Sequence, residues 1–435
     1  MLDWPLLSGP LPLALRISAV AAGAWLAWRF ASGPRRGLVK ATQCGACLAG
    51  SIVVALASGH LARNVLKLYP DRLPVAVYLW AACALFVAAL AGFLIAVDGR
   101  WRRGVSVAVA GLVVVACCAN QVNAVFGAYP TARYALGLPH PDDVELPAVR
   151  VGVVAAAPGR SVESVLRSTA VPSTHGKLTS ASIPGPVSAF SARPAKIYLP
   201  PAYFAASVPR LPVLVLLTGQ PGTPQDWIGA GRLVAIMDAF AANHRGLAPV
   251  VVIPDPTGSA FADPLCLDSR RGRADTYLSM DVPAWIKRHA TVDLRPQAWS
   301  VAGASYGGTC ALQLATNHPE VYPTFLDIAG SAEPTLGDHG RTVAEAFGGD
   351  EKAFARVNPL ELLRTRSFVG SSGAIVVGAS DADSRGDAKR VAEAAKSAGM
   401  DSHLSELPGA HDWWLFSAAL AHELPFLARK IGLID

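Results

Sequence analysis

The chain has 435 residues, of which 52% are hydrophobic and only 16% are charged. This length exceeds that of one average domain and is sufficient for a large hydrophobic core. The formal net charge is +6, but the basic residues are dispersed between apolar segments, without the concentrated basic stripe that is typical of nucleic-acid binding.

Apolar runs dominate the N-terminal part of the chain, residues 1–126. Each run is close to the roughly 20 residues that cross the hydrocarbon core of a bilayer. We therefore predict four transmembrane helices, at Leu6–Trp28, Ala41–Gly59, Leu73–Val97 and Gly104–Phe126. Arg16 makes the first run the weakest of these, because a charge inside the bilayer is costly. A buried helical domain is the alternative interpretation of the four runs.

The connectors between the apolar runs differ in their content of Lys and Arg. Seven such residues follow the first and third runs: Arg29, Arg35, Arg36, Lys40, Arg100, Arg102 and Arg103. Four follow the second and fourth runs: Arg63, Lys67, Arg72 and Arg133. Because cytoplasmic connectors carry the excess of positive charge, we predict a multi-pass plasma-membrane protein whose N-terminus and C-terminal domain lie outside the cytoplasm.

The seven cysteines fall into two groups. Five lie in the apolar runs, and the CxxC pair there, Cys44 and Cys47, is typical of helix packing because no second pair or histidine accompanies it. Cys266 and Cys310 lie in the C-terminal part, where an extracytoplasmic location would permit a disulfide. The sequence leaves open whether they are bonded, since it does not report their separation.

The region after the apolar runs divides into a linker and an α/β domain. Residues 127–184 are rich in Pro, Ala, Ser and Gly, and we predict an extracytoplasmic linker there, with a short strand at Val149–Ala155 and a helical turn at Val162–Ser168. In residues 185–435, predicted strands alternate with helical patterns. The helical patterns are at Asp275–His289, Gly308–His318 and Asp387–Ala398. The predicted strands are Lys196–Leu199, Val213–Leu217, Val250–Ile253, Trp299–Ala302, Phe325–Ile328, Ala374–Val377 and His403–Leu407. This alternation predicts a doubly wound, mostly parallel sheet, which binds ligands at the carboxyl ends of its strands.

The most informative motif is the segment Gly303–Gly307, which reads Gly-Ala-Ser-Tyr-Gly between an apolar run and a helical pattern. Glycines on both sides of a serine allow the strand and the helix to approach closely, so that the serine is presented on a sharp turn. We therefore predict that Ser305 is a nucleophile.

A serine nucleophile needs a base, and the base needs an orienting acid. His411 follows the last predicted strand, in a loop from which its side chain can reach the carboxyl end of the sheet. His403 lies inside a strand and His422 on the C-terminal helix, so both are poorer candidates. We predict His411 as the base.

Asp381 is the first carboxylate after the strand Ala374–Val377 and is the predicted orienting acid. Asp383, two residues further on, is the alternative, and Asp412 is expected to bond within its own loop. The resulting order of serine, acid and histidine is the one that α/β-hydrolases use.

The negatively charged oxygen of a tetrahedral intermediate needs backbone N–H donors. We predict one donor at Tyr306, which directly follows the nucleophile, and a second at Gln220, in the turn after the strand Val213–Leu217. An ordinary Gly/Pro turn is the alternative interpretation of the segment Thr218–Gly222.

Several motifs of the C-terminal part occur together in one known family. They are Tyr198-Leu-Pro-Pro-Ala-Tyr203, Gly303-Ala-Ser-Tyr-Gly-Gly308, Gly378-Ala-Ser-Asp381 and Pro408-Gly-Ala-His-Asp-Trp413. Over about Gly185–Arg429 the chain resembles the Putative esterase (esterase D) family, which includes feruloyl esterases and the mycolyltransferases of actinobacterial envelopes. The resemblance implies an α/β-hydrolase fold and serine acyl chemistry without a metal or other cofactor. The turn Thr218-Gly-Gln220 departs from the His-Gly of many relatives.

These observations predict a membrane-anchored, extracytoplasmic serine esterase or acyltransferase. It would act on a cell-envelope or lipid-linked ester through an acyl-serine intermediate, so its expected partners are an ester of a lipid or envelope glycan and the membrane, and not a nucleic acid. The alternative is a non-catalytic membrane scaffold or binding protein that retains the hydrolase fold. The sequence does not distinguish hydrolysis from acyl transfer, and it does not fix the natural substrate or the oligomeric state.

Overall fold

A computed structural model describes residues 3–33, 37–65, 73–98, 101–136, 138, 144–150, 153, 155–166, 174–205, 210–259 and 262–435. The chain forms two compact units, Met1–Leu138 and Pro139–Asp435. Each unit has its own hydrophobic core.

The N-terminal unit is helical. Its α-helices are α1 (Pro10–Ala31), α2 (Gly37–His60), α3 (Val75–Asp98), α4 (Trp101–Phe126) and the short α5 (Ala132–Ala135), and a π-helical turn at Leu61–Val65 continues α2. Within the described residues, α1 to α4 are each long and apolar enough to cross a membrane. The prediction of four long apolar helices is therefore confirmed.

Small residues bring the helices of this unit together. Helix α4 packs against α1 and α3, and α2 packs against α3. A Cβ added to Gly111 of α4 would lie 3.0 Å from the Cβ of Ala91 on α3, so the two helices are in close contact there. Arg16, the unfavourable charge of the first apolar run, donates from Nη2 to Oε1 of Gln121 on α4 at 3.3 Å. The neighbouring helix thus supplies a polar partner for this side chain.

The C-terminal unit is built on an eight-stranded sheet with the spatial order β1-β2-β4-β3-β7-β8-β9-β10. Its strands are β1 (Lys177–Ala181), β2 (Ala195–Leu199), β3 (Val213–Leu217), β4 (Val250–Ile253), β7 (Trp299–Ala304), β8 (Thr324–Ile328), β9 (Ser372–Gly378) and β10 (Asp401–Leu407), while β5 (Asp268–Ser269) and β6 (Gly272–Arg273) form a separate hairpin. Strands β1, β2 and β4 pair antiparallel, and every other pair in the sheet is parallel. The predicted α/β-hydrolase sheet is confirmed.

Helices cover this sheet. They are α6 (Val162–Val165), α7 (Gln225–Ile228), α8 (Leu233–Asn243), α9 (Ala274–Thr276), α10 (Val282–His289), α11 (Tyr306–Asn317), α12 (His339–Phe347), α13 (Glu351–Ala355), α14 (Pro359–Thr365), α15 (Arg385–Ser397) and α16 (Trp413–Lys430). All residues of the central strands β3, β7 and β8 are buried. Because successive side chains of a strand point to opposite faces, both faces of the sheet are covered there.

The seven strands predicted in residues 185–435 are all present, each within two residues of its predicted limits. The helix predicted at Asp275–His289 consists of α9, a π-helical turn at Tyr277–Asp281 and α10. Pro283, which has no backbone N–H to donate, lies two residues after this π-helical turn, where the regular hydrogen-bond pattern of the α-helix is interrupted.

The structure adds two elements that were not predicted and leaves two local predictions only partly tested. Strand β1, in the segment predicted as a linker, was not predicted, and neither was the hairpin of β5 and β6. The strand predicted at Val149–Ala155 falls partly outside the described residues, and the described residues 149, 150, 153 and 155 are not in a strand. The helical turn predicted at Val162–Ser168 is present as α6 over Val162–Val165. Leu166 is not helical, and residues 167 and 168 lie outside the described residues.

Candidate active site

Ser305 occupies the sharp turn between β7 and α11. Its φ of 57° lies in the left-handed region, a conformation that costs a residue other than glycine on the order of 1–3 kcal/mol and persists only where the surroundings hold it. The Ser305 N–H donates to the carbonyl oxygen of Ile328 on the next strand, at 2.8 Å. A Cβ added to Gly303 would overlap backbone atoms of Gly307, and a Cβ added to Gly307 would overlap backbone atoms of Leu217. The two glycines therefore make this turn possible.

His411 lies between β10 and α16 and meets Ser305 across the end of the sheet. Its Nε2 is 2.8 Å from Oγ of Ser305, and its Nδ1 is 2.9 Å from Oδ2 of Asp381. The ring also makes an edge-to-face contact with Phe416, with ring centroids 5.2 Å apart. The structure thus brings together the three side chains predicted as nucleophile, base and acid.

Asp381 is the better placed of the two candidate acids. Its side chain is only 3% exposed, and its Oδ1 accepts a hydrogen bond from the Ser384 N–H at 3.1 Å. Burial alone would raise the pKa of the Asp381 carboxyl, but the hydrogen bond and charge of His411, together with the bonds from Ser384, outweigh this effect and lower it below its ordinary value. Asp383 is exposed. Asp412 instead caps α16, accepting from the Leu415 N–H at 2.9 Å.

The other two histidines considered as bases lie elsewhere. Nε2 of His403 is 2.9 Å from Oε2 of the buried Glu423, and Nε2 of His422 is 3.8 Å from Oε1 of the same carboxylate. Both side chains therefore face Glu423 on α16.

The segment predicted to hold the oxyanion passes close to the nucleophile. A Cβ added to Gly219 would lie 3.6 Å from the Cβ of Ser305, and Gln220, joined to Pro221 by a cis peptide bond, comes next. Tyr306 is the first residue of α11, where backbone N–H groups have no intrahelical acceptor. Tyr306 is therefore adjacent to Ser305 in the chain, and Gln220 follows a glycine that lies close to Ser305.

The sequence analysis missed an ion pair between the partly exposed Arg193 and the buried Asp255, which supports the segment Thr218–Gly222. Nε and Nη2 of Arg193 donate to Oδ2 and Oδ1 of Asp255 at 2.9 and 2.7 Å, and Nη2 also donates to the carbonyl oxygen of Gly222 at 2.9 Å. Burial would raise the pKa of Asp255, but the hydrogen bonds and charge of Arg193 lower it. Asp255 follows β4 by two residues, a position that could have suggested a role at the sheet end, whereas nothing in the sequence near Arg193 marked it.

The structure also shows whether the two cysteines outside the N-terminal unit are bonded. Cys266 and Cys310 form a disulfide with a Cα–Cα distance of 5.5 Å. Cys310 lies on α11, five residues after Ser305. Among the described residues, no group of three or more His, Cys, Asp or Glu side chains is arranged to hold a metal ion.

Comparison with known proteins identifies the family. The Putative esterase family model matches residues 191–427, more than half of the chain. The chain belongs to this esterase family. An uncharacterized protein of Corynebacterium glutamicum is 35% identical over 403 residues, which cover 89% of this chain and 89% of that protein. Because this match is much longer than the family segment, it extends well into the sequence before residue 191.

Further relatives agree with the fold of the esterase domain. An S-formylglutathione hydrolase of Paracoccus denitrificans is 29% identical over 193 residues, 40% of this chain and 65% of that protein. A ferulic acid esterase structure superposes with a TM-score of 0.51 and 18% identity, covering 59% of this chain and 99% of that one. An S-formylglutathione hydrolase structure from Agrobacterium tumefaciens superposes with a TM-score of 0.50 and 20% identity, covering 61% of this chain and 99% of that one. At these identities the two structures show that the fold is shared.

Proposed function

We propose that this protein is a membrane-anchored serine esterase or acyltransferase whose catalytic triad is Ser305, His411 and Asp381. The main support for the proposal is the 2.8 Å distance between His411 Nε2 and Ser305 Oγ. Nδ1 of the same ring is 2.9 Å from Oδ2 of Asp381. Both distances are within hydrogen-bonding range. The low pKa of Asp381 keeps this carboxyl ionised, so that it can hold the imidazole in one tautomer and stabilise the imidazolium.

The reaction would proceed in two halves. His411 takes the Ser305 proton while Oγ attacks the ester carbonyl, and the N–H groups of Gln220 and Tyr306 stabilise the negative oxygen of the tetrahedral intermediate. His411 then returns the proton to the leaving alcohol, and an acyl-serine remains. Water or an acceptor hydroxyl attacks this ester with His411 again as the base.

We further propose that residues 1–126 anchor the enzyme and that residues 127–184 link the anchor to the catalytic domain at 185–435, with β1 of this segment joining the domain's sheet. We also propose that the catalytic domain lies outside the cytoplasm. The distribution of Lys and Arg between the connectors supports this orientation. The disulfide between Cys266 and Cys310 supports it independently, because disulfides persist in oxidising compartments. An enzyme held at this surface would meet esters of lipids or envelope glycans, which we propose as the substrate class.

Replacement of the nucleophile tests the proposal. Ser305→Ala should abolish hydrolysis of a p-nitrophenyl ester and labelling by a fluorophosphonate probe, while Ser397→Ala, at an exposed serine on α15, should behave like the parent. Absence of labelling in the folded parent protein would favour a non-catalytic scaffold. Profiling of lipids and glycans in a deletion strain, complemented with the parent or with Ser305→Ala, would identify the substrate as an ester that accumulates without active enzyme.

A further inference from the structure

The disulfide joins the nucleophile's helix to a short loop, residues 262–267, here called the disulfide loop. Cys310 on α11 is bonded to Cys266 of this loop. Two hydrogen bonds accompany the disulfide. The Cys266 N–H donates to Oη of Tyr306 at 3.0 Å, and Nε2 of Gln313 donates to the carbonyl oxygen of Leu265 at 2.9 Å. The loop is therefore attached to α11 at three points.

The three attachment points lie on one face of the helix. Tyr306, Cys310 and Gln313 have the spacing i, i+4 and i+7, which places them in one stripe along an α-helix. The stripe begins at the residue that directly follows Ser305. It therefore spans the first two turns of the helix whose N-terminus would stabilise the oxyanion.

The backbone of the loop depends on these contacts. Leu265 and Cys266 both have positive φ angles, 64° and 51°, in the left-handed region that non-glycine residues adopt only where neighbouring structure holds them. The Leu265 and Leu267 side chains are buried in a small apolar cluster with Leu336 and Ala346. The disulfide loop thus connects α11 to the segment that carries α12, and it has little freedom to move while all its contacts are intact.

We propose that the disulfide between Cys266 and Cys310 positions the Tyr306 N–H for oxyanion stabilisation, so that full activity requires the oxidised enzyme. The proposal rests on the function assigned above to Ser305. With the disulfide formed, the loop presents the Cys266 N–H to the Tyr306 phenol, which fixes the side chain of the residue whose N–H would bind the oxyanion. With the disulfide broken, the loop can relax from its left-handed conformation, and this hydrogen bond is lost.

Reduction of the purified full-length protein tests the proposal. A dithiol reductant cleaves the sulfur–sulfur bond by thiolate exchange, giving the two cysteine thiols and the cyclic disulfide of the reductant. We expect kcat for a p-nitrophenyl ester to fall about 10- to 100-fold, since loss of one oxyanion donor costs about 10²–10³ and a displaced donor costs less. KM should stay within about two-fold, because the donor acts mainly in the transition state. Reoxidation should restore kcat.

The double variant Cys266→Ser/Cys310→Ser is the matched control. It should have the kcat of the reduced parent and should not respond to reductant, which separates this disulfide from the cysteines of the N-terminal unit. Tyr306→Phe gives a second measurement, because it retains the disulfide and the backbone N–H but removes the acceptor for the Cys266 N–H. We expect a smaller fall in kcat, again with little change in KM.

The outcomes separate this proposal from the proposed function. If the oxidised parent reacts with the fluorophosphonate probe at Ser305 and hydrolyses the ester, but kcat is the same after reduction, the disulfide has a structural role only and the inference is wrong. If reduction unfolds the protein, an unchanged kcat in Tyr306→Phe overturns it instead. If the oxidised parent does not react with the probe at all, the proposed function itself fails.

Discussion

Gly303 is the residue of the nucleophile turn whose replacement has the most sharply defined consequence. A Cβ added there would lie 2.8 Å from the Cα of Gly307, about 1 Å inside ordinary van der Waals contact, and it would overlap the carbonyl carbon and oxygen of Gly307 by more than that. All these atoms are backbone, so no side-chain rotation can relieve the overlap. In Gly303→Ala the first turn of α11 must therefore move by about 1 Å relative to β7.

This movement should affect stability and catalysis together. Overpacking of a buried site costs about 1–3 kcal/mol, and for a domain of this size each kcal/mol lowers Tm by about 2–4 °C. Because Ser305 and Tyr306 lie on the displaced turn, the alignment of the nucleophile with the oxyanion donors is also lost. A misplacement of about 1 Å can reduce the rate about 10²-fold, and we expect a loss of that size in kcat/KM.

The measurement is ester hydrolysis well below both melting temperatures, together with thermal unfolding of the same preparations. Gly386→Ala is the matched control, because Gly386 is an exposed residue of α15 and no atom of the described residues lies within 4 Å of a Cβ added there. It should keep the activity of the parent and have an equal or slightly higher Tm. A Gly303→Ala protein with the kcat/KM and Tm of the parent would refute the steric argument for the turn.

Two further predictions concern the acid and the support of the oxyanion segment. Asp381→Asn should lower kcat by about 10³–10⁴ without unfolding the protein, since the imidazole loses its orienting charge. The same change at the exposed Asp383 should leave kcat within about two-fold. A large fall in kcat for Asp383→Asn, with little change for Asp381→Asn, would make Asp383 the orienting acid. Arg193→Gln should lower the free energy of unfolding by about 1–3 kcal/mol at neutral pH, because the buried Asp255 carboxylate loses the guanidinium but keeps four other hydrogen bonds, from the backbone N–H groups of residues 193, 257 and 258 and from the Thr257 hydroxyl. It should also lower kcat through the segment at Gly222. Since the folded pKa of Asp255 is lowered, its contribution is present above the unfolded pKa of about 3.9 and is lost as the pH falls through the folded value. The stability difference between parent and variant, measured by denaturant titration, should therefore shrink at acid pH; a pH-independent difference would contradict this explanation.

Local patterns in the sequence predicted much of this architecture. The lengths of the four apolar runs, the seven strands of the α/β domain and the glycines around Ser305 depend on residues that are neighbours along the chain, where periodicity and turn chemistry are informative. Strand β1 was missed because its edge position, next to β2, allows a polar, half-exposed sequence without a strong apolar signal. The hairpin of β5 and β6 was missed because its strands have only two residues each.

Patterns within the sequence are sufficient to predict the class of fold and the chain order of serine, acid and histidine. The carboxylate that contacts His411 is evident only in the folded domain, since His411 lies 30 residues from Asp381 and 106 from Ser305 in the chain. The same is true of the disulfide between Cys266 and Cys310, which are 44 residues apart, and of the ion pair between Arg193 and Asp255, which are 62 residues apart. The physical reason is that these contacts depend on the order in which strands assemble into the sheet, and this order is set by the packing of the whole domain and not by any local segment.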